Sequence, residues 1–479
     1  MLSAIANTFS NCFKIPELKS RILFTLMVLA ICRLEAAIRV PGLNGQALTD
    51  FFKTQAGQNA GNSVLGLYSM FTGGALEHCA IGALGIMPYI SATIIIQLLT
   101  AVWGHLSKLA REEGGRTKLI QYGRYLTVVL CLGQGFVMAL GWENPSSLFG
   151  QQIGRLVIYP DSQIWFYRLQ TTLILTTGTV LLMWLGEQIT ERGIGNGMSL
   201  LIFAGIVVGL PRGVIDLYQK ASTSAWGVFT APALLLLLVL MVAVVAFIVF
   251  VERSERRIPV QYAKRVVGRK VMGGRSTHLP LRVNAGGVMP VIFASSILAL
   301  PQMLGAAFHS NKVVGPLLDA MRWGEPLYTL LYCTGIVFFA YFYISIVFNP
   351  NEVADNMRKW GGFIPGIRPG KRTADFINDV LTRITLVGAL YLISISLIPE
   401  WMIAGIKLNH LPLLGRLFEN LPTWITNGLG VNFYFGGTSL LIVVGVAMDT
   451  VTQIEAQLIM RHYDGFTPKS GRIRGRRTW

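Results

Sequence analysis

Two short motifs each occur twice in this chain, and every copy falls in a long apolar run. Gly85-Ile86-Met87-Pro88-Tyr89-Ile90-Ser91-Ala92 matches Gly287-Val288-Met289-Pro290-Val291-Ile292-Phe293-Ala294 in register at Gly, Met, Pro, Ile and Ala. Gly197-Met198-Ser199-Leu200-Leu201-Ile202 matches Gly437-Thr438-Ser439-Leu440-Leu441-Ile442 at every position but one. Gly and Pro inside membrane-crossing helices are tolerated only where protein or a cavity satisfies the freed backbone groups. A matched pair of such interrupted segments in two halves of a chain points to a site at the interface between repeats.

The apolar runs set the fold class. With 52% hydrophobic and only 14% charged residues, the composition excludes an ordinary soluble globular chain. Ten runs approach the length of about 20 residues that crosses a bilayer as a helix: about 21–38, 79–100, 119–140, 170–187, 197–215, 232–251, 286–306, 327–348, 379–399 and 435–457. They are continuous rather than alternating, so a membrane β-barrel is not indicated. The expected fold is an all-α polytopic membrane protein with ten transmembrane helices.

Charge sets the orientation. The net charge is +17. When the loops are assigned alternately to two sides, the side holding the N-terminus carries 28 basic residues and the other ten. The positive-inside rule then places both termini in the cytoplasm. Five spans per half is an odd number, so the second half enters from the opposite side. The two pseudo-symmetric halves are therefore inverted. They cover 21–220 and 221–460, after a short cytoplasmic segment at 1–20 and before a basic cytoplasmic tail at 461–479. Cytoplasmic loops are expected at about 252–285 and 349–378.

Chemistry-bearing motifs are scarce. No GxxxxGK[ST], HExxH or GxSxG pattern occurs, and the five cysteines are scattered. No catalytic residue, metal ligand or cofactor is therefore expected. Coupled transporters place ionisable groups near the membrane midplane. Here the spans carry almost none beyond Arg33 and Glu35, which read as interfacial snorkelling at the outer end of the first span. A passive pore fits this pattern best. An inverted-repeat secondary transporter of a small solute is the alternative.

Several stretches carry a resemblance: Met70-Phe71-Thr72-Gly73-Gly74-Ala75-Leu76, Ala83 to Ala92, Glu191-Arg192-Gly193-Ile194-Gly195-Asn196-Gly197, Ser276 to Leu281, Phe348-Asn349-Pro350, Pro365 to Gly370, and Tyr434 to Ser439. On these residues the chain resembles the SecY family, the central subunit of the bacterial protein-conducting channel. The resemblance implies a channel in the bacterial inner (plasma) membrane. It would pass unfolded secretory polypeptides across and release hydrophobic segments sideways into lipid. Implied partners are the SecE and SecG subunits, the SecA ATPase, the ribosome, secretory and membrane protein substrates, YidC and SecDF.

The repeats equate Ile90 with Ile292 and Ile202 with Ile442, and Ile86 lies one turn before Ile90 on the same face. In the resembled family, positions matching Ile86, Ile90, Ile202, Ile292 and Ile442 form an apolar ring at the channel's waist. Such a ring sheds water and stops ions yet yields around a passing chain. The glycine-rich segment about 62–75 is too short to span a bilayer and matches the family's plug, through Asn62, Leu65, Leu67, Met70 and Phe71. The residues alone also allow an interfacial amphipathic segment there.

Spans two and seven are expected to face each other across a lateral gate at Ser91, Gln97, Ser295, Ser296 and Leu300. Hydrogen bonds are expected from Ser91, Thr93 or Gln97 to Ser295, Ser296 or Asn284. The basic loops, with Arg256, Arg257, Lys264, Arg265 and Arg368, allow contact with anionic lipids, nucleic-acid phosphates or an acidic protein. The family implies docking of SecA or the ribosome there.

Overall fold

Each copy of the first motif folds in the same way. Gly85 and Gly287 sit at φ 58° and 57°, a left-handed turn that glycine adopts without the steric cost of a side chain. Two residues later a helix begins, at Met87 and at Met289. Pro88 and Pro290 occupy the first turns, where a missing N–H costs nothing. Both copies of the second motif likewise open a helix on their glycine, Gly197 and Gly437.

In this computed structural model the described residues are 15–56, 69, 72–112, 114–145, 156–222, 230–262, 265–267, 270–272, 276–308, 320–321, 325–404 and 437–464. Helices occupy all ten apolar runs. The first half contains α1 (Pro16–Ala37), the short α2 (Gly45–Ala56), α3 (Met87–Val102), α4 (Gly104–Arg111), α5 (Gly115–Glu143), α6 (Ile164–Arg192) and α7 (Gly197–Ser222). The second contains α8 (Thr230–Glu252), α9 (Met289–Phe308), α10 (Pro326–Val347), the short α11 (Pro350–Lys359), α12 (Lys371–Ala404) and α13 (Gly437–Asp464). Among the described residues five helices are long and apolar enough to cross a membrane alone. A sixth qualifies if α3 and α4, bent by 104° at Trp103, are one span.

Packing follows the repeat. In the first half α3 lies on α5, α5 on α6 and α6 on α7; in the second α9 lies on α10, α10 on α12 and α12 on α13. The halves meet through α3 with α9, α5 with α9, and α7 with α13.

Glycine marks a further correspondence. A Cβ at Gly178 of α6 would lie 2.5 Å from the Ile81 carbonyl oxygen, and one at Gly388 of α12 would lie 2.7 Å from that of Val283. Ile81 and Val283 each stand four residues before the motif glycine, so each half presses a helix against the same point of its own turn.

The basic stretch about 252–285, read from the sequence only as a loop, contains β-structure. Strand β1 (Glu255–Tyr262) pairs antiparallel with β4 (Ser276–Arg282) and with β5 (Gly362–Phe363). A small ladder of β2 (Arg265–Val267) with β3 (Lys270–Met272) lies between β1 and β4 in sequence. Alternation explains the hairpin: Ile258 and Val260 of β1 turn inward while Arg256 and Arg257 stay exposed. Ile258, Leu281, Ile344, Ile364, Ile377 and Leu381 form their own apolar cluster, which fastens the sheet to the end of α10 and the start of α12.

Candidate functional site

The four isoleucines singled out by the repeats come from α3, α7, α9 and α13, and Ile86 is the residue preceding α3. All are buried, from 7% exposure at Ile86 and Ile90 to 0% at Ile442, and all belong to one continuous apolar cluster. The positive-φ turns at Gly85 and Gly287 place Ile90 and Ile292 in the first turns of α3 and α9. Ile86 and Ile202 line a common cavity. Ser296, one turn beyond Ile292, donates to the Met87 sulfur at 3.7 Å across the α3–α9 seam. The arrangement can exclude water because it offers no polar side chain at these five positions.

That seam differs from expectation in its hydrogen bonds. Ser295 and Ser296 both donate to the Ile292 carbonyl, at 2.9 and 2.7 Å, and Thr93 donates to the Tyr89 carbonyl at 2.9 Å. Asn284 gives its amide to Glu252 and to the Gly287 carbonyl. Hydroxyls on a helix find a carbonyl of the preceding turn at no cost in side-chain reach, and this local option wins over bonding to the facing helix. The Ser296–Met87 contact is the polar contact that crosses between the two helices among the described residues. Ser91 and Ser296 are nonetheless buried on the facing surfaces, while Gln97 is half-buried. Leu300 lies on α9, its side chain outside the described set.

Of the expected plug, Asn62, Leu65, Leu67, Met70 and Phe71 lie outside the described residues. Its C-terminal root is described and firmly held. Ser69 donates to Glu77 at 2.7 Å and accepts from the Gly74 amide at 2.8 Å and from the Thr72 hydroxyl at 3.1 Å. Arg33 of α1 reaches the same root, donating to the Gly73 carbonyl at 3.1 Å and to the Ala204 carbonyl of α7 at 2.5 Å.

The snorkelling reading of Arg33 and Glu35 is therefore corrected. Leu34, between them, is 66% exposed, whereas Glu35 is 5% exposed. Residues on either side of Leu34 are rotated about 100° from it in opposite senses, so they leave the helix on its two flanks and not on the outermost face that Leu34 occupies. Sequence alone held one usable sign of this: two charges flanking a leucine in an otherwise apolar span.

The loop segments Glu191 to Gly197 tie the halves together. The Ile194 amide donates to Thr25 of α1, and the Gly195 amide donates to Gln453 of α13 at 3.0 Å. Asn196 accepts from the Met198 amide at 3.1 Å and so caps α7.

Among the docking candidates, Arg256 and Arg257 project from β1, with Arg257 paired to Glu255 at 2.7 Å. Arg368 is exposed on a tight turn between Gly366 and Gly370, at φ 82° and 106°, where its carbonyl accepts from the Thr373 hydroxyl. Ile364, the residue immediately after β5, roots this turn in the second apolar cluster. Arg265 lies on β2 with its side chain undescribed, and Lys264 and the tail beyond 464 fall outside the described residues. Trp360, 79% exposed beside the positive-φ Gly361, shares this surface and was missed by motif reasoning because a single tryptophan carries no spacing.

Known proteins resemble this chain over nearly its whole length. The SecY family model matches residues 80–451. The "Protein translocase subunit SecY" of Vibrio cholerae is 45% identical over 463 residues, 95% of each chain. The protein of that name from Escherichia coli strain K12 is 45% identical over 458 residues, again 95% of each. Among solved structures, "The structure of a protein conducting channel" superposes with a TM-score of 0.61 at 16% identity, covering 94% of this chain and 95% of that one. "The plug domain of the SecY protein stablizes the closed state of the translocation channel and maintains a membrane seal" gives 0.62 at 17% identity and the same coverage. "Sec61 in the Canine ribosome-channel complex from the endoplasmic reticulum" gives 0.57 at 15% identity, covering 94% and 95%.

Proposed function

The chain belongs to the SecY family, and from that premise we propose that it is a protein-conducting channel whose pore lies on the seam between its inverted halves. Ten spans surround the pore. Ile86, Ile90, Ile202, Ile292 and Ile442 are its constriction, and the observation that carries this reading is their common burial in one cluster fed by four helices of both halves. Branched aliphatic side chains have no hydrogen bond to offer water or ions, so the closed ring dewets; their rotamers give way when an extended polypeptide fills the opening. The plug, about 62–75, backs the ring on its outer side, and α3 and α9 part to let hydrophobic segments into lipid.

The energy comes from outside the chain. We assign Arg256, Arg257, Lys264, Arg265 and Arg368 to docking of SecA or the ribosome on a platform stiffened by the second apolar cluster. SecE and SecG complete the complex in a bacterial plasma membrane, with both termini cytoplasmic, and anionic lipids contact the remaining basic residues. The chain itself catalyses no reaction.

Reconstitution decides the reading. Purified with SecE and SecG, the complex should carry a secretory precursor into vesicles when SecA and ATP are added. Failure to do so with an assembled complex would favour the small-solute transporter. In the same assay Arg368→Glu should lower transport while leaving the complex intact; loss of assembly would make Arg368 structural.

A further inference from the structure

A carboxylate at the last residue of a helix meets the negative end of the helix dipole, so local chemistry disfavours it there. Glu252 nevertheless ends α8, and what it faces explains the placement. The side-chain amide of Asn284, a residue 5% exposed, donates to the Glu252 carboxylate at 2.7 Å and to the Gly287 carbonyl at 3.1 Å. The Gly287 amide returns a bond to the Asn284 carbonyl at 3.3 Å. One side chain thus closes the left-handed turn on itself and ties it to α8. Helix α9 starts two residues later, with Ile292 in its first turn.

Other holds on this entry are of a different kind. The Val283 amide donates to the Ser254 carbonyl at 3.0 Å. Arg282 lies 3.7 Å from Asp449 of α13, with side chains 56% and 63% exposed, and a pair so open to water contributes little. The repeat sets the Asn284 bond apart. Gly82 stands three residues before Gly85, as Asn284 stands before Gly287. A Cβ at Gly82 would lie 3.5 Å from the Glu35 carboxylate. The first span of each half therefore brings a carboxylate to the same point of its turn, but glycine at 82 has no side chain to meet it.

We propose that Glu252 is a positioning residue: through the Asn284 amide it fixes the turn from which α9 starts, and with it the place of Ile292 in the constriction. The carboxylate accepts and does not donate, so it holds the NH₂ side of the amide toward itself and toward the Gly287 carbonyl. Without it the amide can turn over, and its oxygen would then face that carbonyl and repel it. The consequence for Ile292 rests on the ring reading above. The hold on the turn does not.

The test measures both in the purified complex with SecE and SecG. Hydrogen exchange over residues 284–292 reads the turn directly, because it reports local opening. Glu252→Leu and Asn284→Ala should each speed it by about tenfold, and the double variant no further, since the two side chains form one bond. Glu252→Gln keeps an acceptor oxygen and should fall between the parent and Glu252→Leu. Asp449→Asn, which breaks the exposed pair, should leave exchange within about twofold. Should Asn284→Ala fail to assemble, Asn284→Asp takes its place, with nearly the same shape and no amide to donate.

Additive effects in the double variant would overturn the proposal, as would equal exchange in Glu252→Gln and Glu252→Leu. An Asp449→Asn effect as large as that of Glu252→Leu would move the hold to the exposed pair and end it too. Resting conductance in planar bilayers then reads Ile292, and Glu252→Leu should raise it severalfold. If Ile292→Asn leaks and Glu252→Leu does not, Glu252 does not place the ring residue and the proposal fails. If neither leaks, the ring reading falls, and hydrogen exchange alone decides whether Glu252 holds the turn.

Discussion

The two motif turns compare one backbone in two settings. Gly85 and Gly287 share a left-handed φ to within a degree, and each starts a helix two residues later. Their surroundings differ. A Cβ at Gly85 would meet the Thr72 methyl at 2.9 Å, whereas one at Gly287 would find nothing within 4 Å. The first turn is packed against Thr72 and borders the cavity that Arg33 and Glu35 line; the second follows the β1–β4 hairpin. The shared turn aligns the two helices that carry Ile90 and Ile292, while the segments leading into them differ: one is held by Arg33 at Gly73, the other is a β-hairpin with exposed arginines.

The largest expected effect tests whether the shared part is functional in both halves. Ile90→Asn and Ile292→Asn each put an amide into the constriction, and one hydrated polar group there removes on the order of 1–3 kcal/mol of the penalty for wetting. Since each 1.4 kcal/mol is a factor of ten, resting conductance should rise by about tenfold or more in both. A leak in only one variant would break the equivalence of the two helices at the ring.

A second test concerns the matched glycines. The Ile81 and Val283 carbonyls cannot swing aside as a flexible side chain would, so Gly178→Ala and Gly388→Ala should each cost about 1–3 kcal/mol through overpacking. The readout is the apparent melting temperature of the detergent-solubilised complex. Similar losses mean that both halves depend on the same close approach. If Gly388→Ala is neutral, the approach matters only where the plug is rooted.

The repeats made the outline of the fold legible, since a motif glycine followed by Met-Pro fixes both a turn and a helix start from local chemistry alone. The same repeats picked the isoleucines now found buried together. Illegible were features set by what faces what. Arg33 and Glu35 read as interfacial charges because only tertiary packing buries Glu35 and brings the Gly73 and Ala204 carbonyls to Arg33. The seam serines read as cross-helix donors because sequence cannot rank a facing helix against a carbonyl one turn back. The β1–β4 hairpin was hidden beneath its arginines: the inward Ile258 and Val260 alternate over too few residues to stand out in a basic stretch.

Side-chain cost at the motif turns sharpens the opening comparison. Gly85→Ala and Gly287→Ala both pay roughly 1–2 kcal/mol for a left-handed alanine. Only Gly85→Ala also presses on Thr72, so its loss in apparent melting temperature should be the larger. Equal losses would mean that the plug root yields freely. That would weaken the case for a held root more directly than any conductance measurement.

The smallest effects lie in how each half joins its third and fourth spans. Helices α5 and α6 are stapled at both ends: Arg168 grips Glu143 with two bonds of 2.9 and 3.0 Å, and Arg124 grips Glu187 at 2.8 and 2.9 Å. The matching pair, α10 and α12, is joined by the Tyr341 hydroxyl donating to the Thr382 carbonyl at 3.2 Å. Exposure ranks the staples. The Arg168 and Glu143 side chains are 20% and 16% exposed, against 42% and 18% for Arg124 and Glu187, and Arg168 also lies 5.0 Å from the centre of the Trp165 ring. Water and salt weaken the more open pair further. Glu143→Gln should therefore cost about 1 kcal/mol, Glu187→Gln about half of that, and Tyr341→Phe a few tenths. Raising the salt should shrink the Glu187 effect first. Were Tyr341→Phe to cost as much as Glu143→Gln, the two halves would hold their third and fourth spans with equal strength by different chemistry.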